Sequence, residues 1–109
     1  MEQVAIFVFH GKEPVAAVNA PFDGDIIASL EYAYRWTNNV AGSWSMGDTL
    51  DMCDNGDYNP NVTVLKPLET IRGQKWGHRS TSIGDTMLVT YDLDNTETYT
   101  VASFGFEKI

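Results

Sequence analysis

The sequence predicts a small α+β domain, a mainly antiparallel sheet with one principal helix packed on it. Three observations carry that prediction. Val4–Phe9 is an unbroken apolar run rich in β-branched and aromatic residues, too short for a helix. Ile26–Thr37 places Ile26, Ile27, Leu30, Ala33 and Tyr34 on one helical face. Thr86–Tyr91 and Thr98–Phe104 alternate with the two-residue period of half-buried strands. At 109 residues with 43% apolar and 20% charged content, the chain reads as one domain spanning residues 1–109, with enough apolar surface to offset the entropy of ordering.

Each element has a local reason. Val4–Phe9 reads as a central or well-covered strand, His10–Glu13 as a turn, and Pro14–Ala20 as the second arm of a hairpin. Pro14 suits a strand start, where no ladder donor is needed. Asp23 and Asp25 are candidate N-caps for the helix. Within it, Tyr32 and Trp36 form an i,i+4 aromatic pair and Glu31 and Arg35 an i,i+4 ion pair. Asn38, Asn39 and Gly42 supply the stop signal. Ser43–Lys66 reads as a long, mostly irregular loop with a short strand at Val62–Leu65. Such a loop in a compact domain is a functional segment or an excursion. Pro67–Trp76 is mixed, with Leu68 and Ile71 as expected anchors. Asp92–Thr96 carries hairpin-loop chemistry between the last two strands, Gly105 breaks the second of them, and Phe106 is an aromatic anchor.

Fifteen acids against seven bases give a net charge of −8. That field repels phosphate backbones, so a nucleic acid is not expected as a direct ligand. It suits solubility and a basic protein partner. A single cysteine, Cys53, excludes an internal disulfide framework and fits a reducing compartment. Asp54 and Asp51 beside it disfavour a thiolate. The start of the chain lacks the basic region of a signal peptide, and no apolar run reaches membrane-spanning length. A cytoplasmic location and no membrane association are expected. Oligomeric state is not encoded in any of these features.

Three groups of residues are candidates for a site. The first is Gly77–Asp85, dense in hydroxyls, with His78, Arg79, Ser80, Ser82 and Asp85. A hydrolase would use His78 as base with Ser80 or Ser82 as nucleophile. Neighbouring side chains on extended backbone point apart, so the favoured expectation is that the hydroxyls tie down loop amides and Asp85 shapes the entry to the next strand. The second group is the acidic run Asp48, Asp51, Asp54 and Asp57. It lacks the alternating ligands and closing glutamate of a calcium loop, so a solvated acidic face is expected. The third is Trp44 and Tyr58, aromatics in polar loop sequence, which either pack under the loop or contact a partner. Two histidines and one cysteine do not make a zinc site, and no phosphate-cradling loop is present. No metal and no cofactor are expected.

Three stretches together resemble YodL-like domains. Leu30–Asn38 is similar to their Leu-Glu-aromatic-Asn helix. Ser80, Ser82, Ile83, Gly84 and Asp85 are similar to their Ser-x-Ser-Val-Gly/Ser-Asp signature, and Tyr99–Phe106 to their closing Tyr-x-Val-Asp-Ser-x-Gly-Phe strand. Ala102 departs from the pattern, standing where an acid is usual. The resemblance implies a domain of phage, plasmid and other mobile-element proteins, with a role against host defences or in element maintenance. It carries over Arg79, Ser80, Ser82, Gly84 and Asp85 as a characteristic surface. The expected function is a non-enzymatic accessory protein that binds a host protein and blocks or redirects it. A second expectation, of a different class, is a nucleotide-binding module using the Arg79–Asp85 loop, with Arg79 and backbone amides on phosphate.

Overall fold

The computed structural model describes residues 2–50 and 52–109. Strand β1, Glu2–His10, and β2, Glu13–Phe22, form a hairpin closed by Gly11 and Lys12. Helix α1 spans Ile26–Trp36. Two short hairpins follow in the middle third: β3 Thr49–Leu50 with β4 Cys53–Asp54, and β6 Glu69–Ile71 with β7 Gln74–Trp76, flanking β5 Val62–Val64. The chain ends in β8 Thr86–Thr90, β9 Thr96–Val101 and β10 Phe106–Lys108. Six strands join in one antiparallel sheet of order β10-β9-β8-β1-β2-β5, with α1 packed on one face, so the α+β class holds.

The apolar run of β1 is explained by its place between β8 and β2. Val4, Ile6 and Val8 point into the core. Across the ladder they meet Ala20, Val18 and Ala16 on one side, and Ile6 and Val8 meet Val89 and Met87 on the other. Leu30 and Ala33 of α1 close over these rows. Each such buried aliphatic side chain is worth roughly 1.5–3 kcal/mol relative to exposure. Ala5, Phe7 and Phe9 take the opposite, half-buried face. A bulge at Val8/Phe9 lets Val8 pair with Ala16 and Phe9 with Pro14. Val15 is the extra residue, so Val15 and Ala16 are buried side by side.

Asp25 caps α1, its Oδ1 accepting from Ile27 N at 3.0 Å. The helix ends at Trp36, one residue short of the expected span to Thr37, which is its C-cap, with Asn38 Nδ2 donating to Tyr34 O. Tyr32 and Trp36 stack as expected, ring centroids 6.4 Å apart. Arg35 does not turn to Glu31. Its Nη1 lies 3.1 Å from Asp57 Oδ1, because a buried carboxylate needs the cation more than a solvated glutamate does.

Two other expectations are corrected. Ile71 is no anchor: it is half exposed on the β6–β7 hairpin, since the sequence around it forms a ladder with nothing covering it. The strand expected over Thr98–Phe104 is Thr96–Val101 instead, and the chain then turns at Ala102–Gly105 into a second arm, with Phe106 opposite Val101. Gly105 at φ 78 makes that reversal possible. Phe106 does anchor, edge-on to Tyr34 at 6.2 Å.

Candidate functional site

The Gly77–Asp85 loop runs past the C-terminal end of α1 and enters β8. Asp85 is its hub. Its Oδ2 accepts from Arg79 Nη1 at 2.7 Å and from Ser82 N at 2.9 Å. Its Oδ1 accepts from Arg79 Nη2 at 3.0 Å and from Gly11 N at 3.3 Å. The bidentate fork and two amides saturate the carboxylate. Burial alone would raise the Asp85 pKa, but Arg79, the Ser82 amide, His10 and the Gly11 amide outweigh it and hold it below the ordinary value. Arg79 is correspondingly raised by its hydrogen bonds to Asp85.

His10, on the last residue of β1, reaches the same loop. Its Nε2 lies 2.9 Å from Thr81 Oγ1 and 3.9 Å from Asp85 Oδ2. Thr81 Oγ1 continues to Thr37 Oγ1 at 2.8 Å, and Thr37 Oγ1 donates to Ala33 O at 2.8 Å. A carbonyl only accepts, and each hydroxyl has one hydrogen. Thr37 therefore gives its proton to Ala33, Thr81 gives its proton to Thr37, and His10 must donate through Nε2–H. Burial lowers the His10 pKa and the nearby Arg79 charge lowers it further, against the opposing pull of Asp85.

Trp44 locks the other side. It is only 2% exposed, and its ring lies between His10, at 6.1 Å, and His78, at 5.8 Å. Trp44 Nε1 donates to Arg79 O at 2.8 Å. Of the two expectations for this residue, packing under the loop is the one realised. Ser80 Oγ accepts from Asn39 N at 2.8 Å, while Asn39 Nδ2 donates to His78 O at 3.1 Å. Ser82 Oγ accepts weakly from Arg79 Nη1 at 3.3 Å. His78 Nε2 bonds to Lys66 O at 2.7 Å, and His78 N donates to Ser45 Oγ at 2.7 Å.

This geometry is poor for hydrolysis. His78 is aimed at a backbone carbonyl rather than at Ser80 or Ser82. His10, Thr81 and Asp85 assemble the residue types of a triad, but Thr81 and Asp85 both face the same ring nitrogen, and Thr81 is buried with its proton directed to Thr37. A triad needs the acid on the far nitrogen. Phosphate at Arg79 would compete with Asp85, whose carboxylate neutralises the guanidinium and takes one N–H from each of its terminal nitrogens.

The acidic run does not form one surface. Asp48 and Asp54 are exposed; Asp51 lies outside the described residues. Asp57 is a correction: it is 0% exposed. Its Oδ2 accepts from the successive amides of Val40, Ala41 and Gly42 at 2.7, 2.9 and 2.7 Å. Burial pushes the Asp57 pKa up, but those amides and Arg35 outweigh it and leave it lowered. The reason is the chain leaving α1, whose three bare amides converge on one point and require an anion. Asn55 stitches the same loop, accepting from Ser43 N and Asp57 N and donating to Ser43 O and Gly47 O. Tyr58 is exposed and stands apart from the Asp85 hub. Among the described residues no three His, Cys, Asp or Glu side chains gather as a metal site, and no helix is long and apolar enough to cross a membrane.

The structure thus brings His78, Arg79, Ser80, Ser82, Asp85 and Trp44 together and adds His10, Thr37, Asn39 and Thr81, which sequence reasoning missed. One sequence signal existed for His10: a histidine closing a core strand, directly before a turn glycine. A cleft of about 220 Å³ opens beside the loop, lined by Lys66, Glu69, Trp76, Gly77, His78 and Arg79. No family model, curated protein or solved structure matches the chain.

Proposed function

We propose that the chain is a docking protein, an accessory factor of a mobile element that binds a host protein and blocks or redirects it. The observation that supports this reading is the direction of its polar side chains. Those of the signature-like loop are hydrogen-bonded to other groups of the same chain, Asp85, Thr37, Asn39 and Lys66 O. Asp48, Asp54 and Tyr58 stay on the surface, and exposed carboxylates and an exposed aromatic suit contact with a basic protein. The test is capture and crosslinking from host lysate, followed by affinity measurement on the purified partner. Reversing Asp48 and Asp54 to lysine, with Asp57 left intact, should weaken binding by about tenfold, two rim charges being worth up to roughly 1 kcal/mol each when removed and more when reversed. A partner bound equally well by the reversed variant would remove this face from the reading, and failure to recover any stoichiometric partner would remove the reading itself.

A further inference from the structure

The β6–β7 hairpin is built unlike the rest of the molecule. All six of its strand residues are exposed. Its turn places Arg72 at φ 53 and Gly73 at φ 81, both central residues left-handed, as in the tight turn that matches strand twist. An uncovered two-stranded ribbon is marginal in water, but this one is clamped at its base. His78 Nε2 bonds to Lys66 O across the foot of the arm, Lys66 Nζ pairs with Glu13 at 2.9 Å, and Leu65 N donates to Val15 O at 2.9 Å.

The arm also carries the wrong charge for its protein. Residues 66–79 hold four of the seven bases, Lys66, Arg72, Lys75 and Arg79, and one of the fifteen acids, Glu69. Lys66 and Arg79, at the base, are paired with Glu13 and Asp85, so the hairpin itself, residues 69–76, carries Arg72, Lys75 and Glu69 for +1, and the remaining five bases and fourteen acids leave −9 on the rest. Register sorts the arm into two faces. Glu69 pairs with Trp76 and Ile71 with Gln74, while Thr70 pairs with Lys75 on the reverse. One face thus presents Ile71 and Trp76, 50% and 53% exposed, beside Glu69 and Gln74; the other presents Thr70 and Lys75, with Arg72 at the tip.

We propose that this arm is a docking element for an acidic protein surface. Ile71 and Trp76 pack on an apolar patch of the partner, Arg72 at the tip pairs with a carboxylate beside that patch, and Lys75 on the reverse face pairs with a carboxylate on the other side of the arm. Charge selects the partner class. Lys66 and Arg79 are already paired with Glu13 and Asp85, whereas among the described residues Arg72 and Lys75 have no ion pair. Two free cations beside one carboxylate, in front of a −9 body, are too few to hold a phosphate backbone, whose binding rests on neutralising many charges. They are enough to orient a protein contact whose energy comes from a buried aromatic. The surface and the partner chemistry both differ from those of the Asp48–Asp54 face, so this inference goes beyond the function proposed above.

The test uses the full chain and three defined probes: a short peptide alternating glutamate and leucine, its lysine–leucine counterpart, and an oligothymidylate. Amide resonances and tryptophan emission are followed in each titration. The acidic probe should shift resonances of residues 69–76 and move the Trp76 emission to the blue. The Arg72→Glu/Lys75→Glu variant should lose about tenfold in affinity for it, and Trp76→Ala should lose the emission change while keeping the fold. Equal or stronger binding of the lysine–leucine peptide or the oligothymidylate at the arm would overturn the proposal. So would unchanged affinity in the double variant, or no shift at residues 69–76 with any probe. None of these outcomes touches Asp48 or Asp54, so the two readings fail separately.

Discussion

Two adjacent segments, 69–76 and 77–85, solve opposite problems. The second bonds its polar side chains to one another and to the fold, burying Thr81 and Asp85, and the first leaves every strand residue exposed. Segment 77–85 has the residue types of an active site, yet its groups are bonded to one another and to the end of α1. Segment 69–76 has no chemical signature, yet it holds in water a tryptophan, an isoleucine and two cations that form no ion pair among the described residues. The difference teaches that reactive residue types do not mark a working surface when their hydrogen bonds are already satisfied.

The contrast breaks most sharply at Asp85. Asp85→Asn removes the charge that Arg79 and two amides serve, and unfolding free energy should fall by about 3 kcal/mol; denaturant titration measures it, and a loss under 1 kcal/mol would mean the hub is dispensable. Next is Gly77→Ala. A Cβ there would collide with Ser43 Oγ and sit 3.2 Å from Ser45 Oγ, so a cost of about 2 kcal/mol is expected in the same assay. Thr81→Val breaks the hydroxyl chain in its middle and should cost about 1 kcal/mol. It should also alter the imidazole nitrogen resonances of His10, which a change of packing alone would leave in place.

Acidity sharpens the same comparison. The His10 pKa is lowered below the ordinary imidazole value of 6.5. The unfolded chain therefore binds a proton first, and the stabilisation is complete above that value and lost as pH falls through the folded value. Asp85 and Asp57, both held below the ordinary 3.8, add stabilisation present above that value and lost as pH falls through theirs. Stability followed against pH should decline in two stages, and His10→Phe should remove the first only. The arm should give the smallest effect: Trp76→Ala and the reversal of Arg72 and Lys75 should each change unfolding free energy by no more than about 0.5 kcal/mol. A larger loss would show that the arm is part of the core assembly and would erase the contrast.

The sheet and helix were legible because their signals are local. Val4–Phe9 and the Leu30–Ala33 face announce themselves in a few residues of pattern. The site was legible in membership and illegible in direction. Ser80 and Thr81 look alike in sequence, but one accepts from a nearby loop amide and the other sits in a relay to His10, 71 positions away. Asp48 and Asp57 belong to one acidic run, yet only Asp57 meets the three amides leaving α1, 15 to 17 positions earlier. Ile71 misled because its apolar side chain predicts burial, whereas the hairpin that carries it has no layer above it.

A body of one sign carrying a projecting arm of the other has a permanent electric moment. In the field of a charged partner such a molecule turns before it touches, and it arrives in a preferred attitude. If the arm docks as proposed, the hairpin at 69–76 would act on the approach as well as on the contact. Added salt slows the encounter by screening that torque, while a complex already formed and dried around Trp76 is held against salt by its apolar contact.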